Sequence, residues 1–248
     1  NLPKEVTRNP DTFRRKRLYA SEVDAIYRKY EAPLKTIYDY YSSVEGTAMR
    51  LDTKTGPTMS ITEFECFVSD AGLMWDRESA ELALPGMDMV QVRLCFMWSQ
   101  AFVSDELKRR DFFTSCTFVD FLETLGRMTT FMRMPEPETL EKFNCKTVKE
   151  FYDQVASGVH EASGLVKTVE GPGRRAHGLD SEIHSYHWFE EESSLESLAE
   201  QLELLINLIL DRLDGGDGKI DRADLERRHR KVIKKSQRII DRHSKSRS

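Results

Sequence analysis

Five aspartates crowd the stretch DRLDGGDGKIDRADLE near the C-terminus: Asp211, Asp214, Asp217, Asp221 and Asp224. Carboxylates this close repel one another unless a cation sits among them. Oxygen-rich loops are also how proteins hold hard divalent ions. A twelve-residue calcium loop takes oxygen ligands from positions 1, 3, 5, 7, 9 and 12 and needs glycine at position 6 for a sharp turn. Asp217, Gly218, Ile220, Asp221, Asp224 and Leu225 fall at positions 5, 6, 8, 9, 12 and 13, so the second half of the stretch fits. The first half does not, with Leu213 at position 1 and Gly215 at position 3. A fourteen-residue frame starting at Asp211 brings in Asp214 as well. Position 12 is Asp, which has a shorter reach than the bidentate Glu of a strong site. Two readings stand: calcium or magnesium held by these five aspartates, or a solvated Asp/Gly turn between two helices. The turn is preferred.

The same frame laid on residues 52–63 gives a different result. Asp52 falls at position 1, Met59 at 8, Ser60 at 9, Glu63 at 12 and Phe64 at 13. Lys54 stands at position 3, Gly56 at 5 and Pro57 where glycine is needed. A cation and a missing oxygen at ligand positions defeat metal binding. The residues that shape the unit are kept: an apolar residue at 8 to pair with a neighbouring loop, and an aromatic at 13 to start the core face of the exiting helix. A shift of 57 residues repeats the element, with Cys116, Thr117, Asp120 and Phe121 in place of Met59, Ser60, Glu63 and Phe64. In this second copy Arg109 holds position 1 and Phe113 position 5. MSITEF and CTFVDF thus read as one element used twice, which is how a pair of EF-hand units shares a core.

Other residues that could do chemistry lack a supporting context. Cys66, Cys95, Cys116 and Cys145 form no CxxC pair and lie in apolar stretches, which predicts buried, reduced thiols in a cytosolic compartment. His177, His184 and His187 lie in an aperiodic stretch and read as surface histidines. GPGRR at 171–175 follows no strand and lacks phosphate-loop spacing. No nucleophile motif or acid–base pair is present, so the chain is expected not to be an enzyme.

The elements that must position these residues follow from periodicity. The chain has 248 residues, 39% hydrophobic and 32% charged, and a net charge of -5. No apolar run approaches the roughly 18 residues of a membrane span. Residues 1–20 carry charge and two prolines and predict an extended basic arm. A helix is expected from Ser21, capped by Ser21 with Asp24. It carries Val23, Ile26, Tyr27, Tyr30, Leu34, Ile37, Tyr38 and Tyr41 as one stripe and a kink at Pro33. Short helices follow MSITEF and CTFVDF, and between them MVQVRLCFMWSQAFV is apolar nearly all round, which predicts burial. Pro135 and Pro137 mark a boundary. A helix over 138–162, a long loop to 192, a helix over 195–213 capped by Ser193 with Glu196, and a long basic amphipathic helix complete the chain. The expected fold is mostly α: an arm at 1–20, a degenerate EF-hand pair at 21–134, a helix and long loop at 138–192, and a third EF-hand-like helix–loop–helix at 193–248.

SEVDAIYRKYEAPLKTIYDYYS, MSITEFECFVSDAGL, VRLCFMWSQAFVSDE and TFVDFLETLGRM together resemble the degenerate EF-hand proteins of motile cilia and flagella. The resemblance covers less than half of the chain. It implies a structural or docking component of the axoneme, on doublet microtubules or an attached complex. Tubulin, which is acidic, or other axonemal proteins would be the partners, with no nucleic acid and no membrane. The basic C-terminal helix suits such a partner. The alternative is a calcium-binding regulatory protein using residues 211–224.

Overall fold

The computed structural model describes residues 10–43, 57–74, 86–100, 115–132, 134–135, 137–156, 197–214 and 220–246. The protein is mostly helical. Its elements in chain order are α1 (Pro10–Phe13), a π-helical turn (Arg14–Leu18), α2 (Ser21–Lys29), α3 (Glu31–Tyr41), β1 (Met59–Ser60), α4 (Ile61–Asp70), α5 (Met89–Ser99), β2 (Ser115–Cys116), α6 (Phe118–Met128), α7 (Pro137–Lys142), α8 (Val148–Ala156), α9 (Leu198–Leu213) and α10 (Arg222–Ser246). β1 and β2 form one antiparallel pair, with Met59 opposite Cys116 and Ser60 opposite Ser115.

The predicted stripe from Val23 to Tyr41 is buried or half-buried throughout, but it lies on two helices. The break is at Tyr30, whose backbone leaves helical geometry at φ -106° and ψ 13°. Pro33 therefore falls in the first turn of α3. There its missing N–H removes no bond, because first-turn donors have no partner within the helix. The chain bends one turn before the expected kink. Ser21 is not a cap: α2 begins on Ala20 without a side-chain cap, and the Ser21 hydroxyl donates to Glu22.

Residues 10–18, expected in the extended arm, are helical and packed. Phe13 is fully buried and Leu18 nearly so. Arg14 explains why. Its Nε contacts Glu123 Oε2 at 2.7 Å, and its Nη2 donates to the carbonyls of Trp98, Ser99 and Gln100 at the C-terminal end of α5. A cation at a helix C-terminus meets both the unpaired carbonyls and the negative end of the dipole. Glu123 also binds Arg127, at 2.7 and 2.8 Å, and the Arg127 guanidinium lies 4.8 Å from the centre of the Phe13 ring. Burial pulls the Arg127 guanidinium below its ordinary range, and Glu123 opposes that.

Two further expectations are corrected. The helix expected over 138–162 is two helices as far as Ala156, and residues 157–162 lie outside the described residues. α7 ends where Asn144 takes a left-handed turn at φ 53° and the Cys145 N–H reaches back to the Leu140 carbonyl. Thr147 then caps α8, accepting from the Glu150 N–H at 3.1 Å. α5, expected to be buried all round, exposes Val90 at 65% and Met97 at 50% on one side, while Val92, Cys95 and Phe96 face the core. Of the thiols, Cys95, Cys116 and Cys145 are buried and Cys66 is half-buried. α9 starts at Leu198 on a Ser197 cap that accepts from the Glu200 N–H. The Ser-x-x-Glu pattern recurs four residues after Ser193, which itself lies outside the described residues.

Aromatic rings fill the centre. Phe67 meets Phe121 at 5.3 Å, Phe64 meets Phe96 at 5.6 Å, and Tyr41 meets Phe67 at 5.5 Å between ring centres. α9 packs against α2, α6, α8 and α10. Leu202, Leu205, Ile206, Leu208, Ile209 and Leu213 are buried on it, more of the helix surface than a single stripe covers. α6 approaches the N-terminal segment closely at Gly126, where a Cβ would lie 2.8 Å from Leu18 Cδ1 and 2.9 Å from the Tyr27 hydroxyl. That hydroxyl is fixed by a 2.6 Å bond to the Leu122 carbonyl. Gly126→Ala is therefore expected to cost about 1–3 kcal/mol through overpacking, read as a lower urea midpoint with unchanged slope.

Candidate functional site

Two places bring chemistry-bearing residues together. The first is the paired loops. Each copy of the repeated element starts its helix with the same reciprocal cap. Ser60 Oγ accepts from the Glu63 N–H at 3.2 Å, and Glu63 Oε2 accepts from the Ser60 N–H at 2.8 Å. Thr117 Oγ1 accepts from the Asp120 N–H at 3.3 Å, and Asp120 Oδ2 accepts from the Thr117 N–H at 2.9 Å. The two carboxylates at position 12 thus hold helix N-termini, an arrangement worth on the order of 1 kcal/mol each. Glu63 is 2% exposed, and its Oε1 has no hydrogen-bond partner among the described residues. Burial pushes the Asp120 carboxyl up, and its bonds to Thr117 pull it back.

Tyr38, from the predicted stripe of α3, lies beneath the pair. Its hydroxyl is 2.7 Å from the Pro57 carbonyl and 2.9 Å from the Cys116 carbonyl, and it donates to one of them at a time. Its ring packs on Phe118 at 5.4 Å and Phe121 at 5.7 Å. One buried phenol therefore ties both loops to α3. Asp52, Lys54, Gly56, Arg109 and Phe113 lie outside the described residues.

The second place is the end of α4, where the C-terminal helices dock. α4 closes on Gly72 in the left-handed region at φ 66°. The Leu73 N–H reaches back to Val68 and the Gly72 N–H to Ser69. The remaining carbonyls are met from afar. Arg212 Nη1, on α9, donates to the Gly72 carbonyl at 2.8 Å, and Arg228 Nε, on α10, donates to the Asp70 carbonyl at 2.9 Å. The Asp70 carboxylate is 1% exposed, and its Oδ2 accepts from the Tyr41 hydroxyl at 2.9 Å and contacts His229 Nδ1 at 2.7 Å. Burial pushes the Asp70 carboxyl above the usual carboxylate range, and His229, Tyr41 and Arg228 draw it back down. Sequence reasoning did not single out Asp70, Gly72 or Arg212. Gly72, just past an apolar helical run, carried a readable stop signal. The arginines read only as members of a charged pattern.

The five predicted metal ligands are distributed as follows. Asp211 lies in the last turn of α9, and Asp214 is the residue that ends it. Burial and Asp214 push the Asp211 carboxyl up, and Lys149 lowers it. Asp221 Oδ1 accepts from the Asp224 N–H at 2.8 Å and so caps α10. Asp224, nearly buried, pairs with Arg227 at 2.9 Å. Asp217 lies outside the described residues, as do His177, His184, His187 and residues 171–175. Among the described residues no three His, Cys, Asp or Glu side chains are gathered as a metal ion would need, and no helix is long and apolar enough to cross a membrane.

No family model, curated protein or solved structure matches the chain.

Two substitutions test the geometry. Tyr38→Phe leaves the Pro57 and Cys116 carbonyls without their shared donor and is expected to lower stability by about 1–3 kcal/mol, measured by urea unfolding. Asp70→Ala strands the Tyr41 hydroxyl and the His229 imidazole against an apolar core. It is expected to cost about 3–5 kcal/mol, seen as a lower melting temperature.

Proposed function

We propose that this chain is a non-enzymatic structural and docking protein of the flagellar axoneme, associated with doublet microtubules or with a complex attached to them. In this reading residues 21–134 are a degenerate EF-hand pair kept for its shape. The observation that carries it is the register of the two short strands: Met59 lies opposite Cys116. These are the residues at position 8 of the two loops, where paired EF-hands meet. The capping carboxylates at position 12 and Phe64 and Phe121 at position 13 are buried or half-buried around that pair. Lys54, Gly56, Arg109 and Phe113 replace metal ligands in the sequence. The link to the axoneme rests on the resemblance of these segments to ciliary proteins.

The pair's surface also carries a ligand of its own. α9 lies across α2 and α6, with Glu203 holding Lys29 of α2 and the adjoining Tyr30 at its rim and Gln201 Oε1 accepting from the Met134 N–H at 3.0 Å. A partner groove in such a pair takes an amphipathic helix, and in this reading α9 plays that part. That suits a rigid building block better than a sensor that opens on demand. Partners are then engaged from outer faces.

The reading has a direct test. A tagged chain in flagellated cells is expected to stay with the axoneme after detergent extraction; a fully soluble pool would refute it. The protein is also proposed to work without resident calcium. Titration calorimetry with calcium up to millimolar concentration is expected to give no binding heat. A saturating signal abolished by Asp217→Ala would make the 211–224 stretch a calcium site instead.

A further inference from the structure

α10 has two faces with different roles. On one, Leu225 is buried and Arg228 and His229 are bound to the end of α4. On the other, Ala223, Glu226, Arg227, Arg230, Lys231 and Lys234 line an open groove of about 450 Å³. Arg227, Arg230, Lys231 and Lys234 recur at steps of three and four residues, so they form one ridge along the helix. The described acids on this face are already engaged. Asp224 is paired with Arg227, and Glu226 lies between Arg222 and Arg230 at 3.6 and 3.5 Å. Lys231 and Lys234 are exposed and make no ion pair among the described residues. Residues 222–246 hold ten Lys or Arg against three Asp or Glu, in a chain whose net charge is -5. The positive charge is therefore local, and the helix runs on to Ser246 with the same composition.

We propose that this ridge is the docking surface for an extended acidic peptide segment, rich in glutamate or aspartate, of the partner protein. The proposal rests on the docking reading above and names the chemistry of its partner. Three observations select a peptide. Among the described residues lining the groove Ala223 is the only apolar one, and of the large apolar side chains described on α10 only Ile233 is exposed, which falls short of the broad apolar face a bilayer-binding helix needs. No aromatic side chain among the described residues lines it to stack on a base. The rest of the chain is acidic, which repels a long polyanion but leaves a short segment free to lie along one helix. Because α9 and the end of α4 fix the first turns of α10, the ridge is held in place before a partner arrives, which lowers the ordering cost of binding.

The test is fluorescence anisotropy of the full chain with a fluorescein-labelled ten-residue polyglutamate peptide. Binding is expected to be saturable and to weaken as salt rises, since exposed charges are screened. The double substitution Lys231→Glu and Lys234→Glu is expected to weaken it at least about tenfold with no change in melting temperature. Should that variant melt early, Lys231→Gln with Lys234→Gln decides, with a smaller loss expected. Absence of peptide binding, or equal binding by the parent and the folded variant, overturns the proposal. So does tighter binding of a single-stranded oligonucleotide, or of vesicles containing phosphatidylserine, than of the peptide. Axonemal retention separates the two claims. A chain that is retained but does not bind the peptide overturns the ridge alone. A chain that binds the peptide but is never retained overturns the axonemal reading and leaves the ridge standing.

Discussion

The hydroxyl of Tyr38 lies within hydrogen-bond reach of two carbonyls, those of Pro57 and Cys116, which are far apart in sequence. Around it, Met59 pairs with Cys116, and Phe118 and Phe121 pack on the phenol ring. Two strands of two residues cannot hold a protein together by their own backbone bonds, because so short a pair is marginal in water. The ladder persists because each strand runs straight into a capped helix whose fourth residue, Phe64 or Phe121, is in the core. The pair sets the relative position of α4 and α6, and the spacing of Phe67 from Phe121 follows from it. Metal ligands are not needed for any of these contacts. In the proposed reading that is why the loops could lose them.

A second constraint joins the halves. The end of α4 exposes carbonyls and a buried carboxylate, and the C-terminal helices supply Arg212, Arg228 and His229 to meet them. Leaving these groups unmet would strand buried polar atoms, at a cost of about 1–3 kcal/mol for each. α9 adds a largely apolar surface against α2, α6 and α8. The C-terminal region is thereby packed onto the repeated element. The N-terminal segment is bound in the same manner, through Arg14 at the end of α5.

Much of this was legible in the sequence and some was not, for physical reasons that differ by element. The repeated element could be read because polar caps and aromatics at fixed offsets leave a periodic mark: Ser60, Glu63 and Phe64 recur as Thr117, Asp120 and Phe121. Helix interiors could be read from their stripes. The break at Tyr30 could not, because no glycine or proline marks it and Pro33 drew the kink three residues too late. Residues 10–18 read as an arm because their contacts are made by arginines. A cation bound at a helix end and a cation in water look alike in a sequence. His229 was hidden for the same reason: nothing local marks a partner 159 residues away. On the candidate metal loop, the sequence showed five aspartates but not that Asp221 and Asp224 are used to cap α10 and to bind Arg227.

The central claim is that the two copies of the element meet residue for residue at Met59 and Cys116. Directly opposed residues of an antiparallel pair have Cα atoms about 4.5–5.5 Å apart, within the range a disulfide bridges. A Met59→Cys variant, oxidised mildly in its folded state and digested, reports on this through mass spectrometry of the linked peptides. The account predicts one intramolecular disulfide, between position 59 and Cys116, formed in nearly all molecules. A free thiol at position 59, or linkage to Cys66 or Cys95 instead, would contradict it.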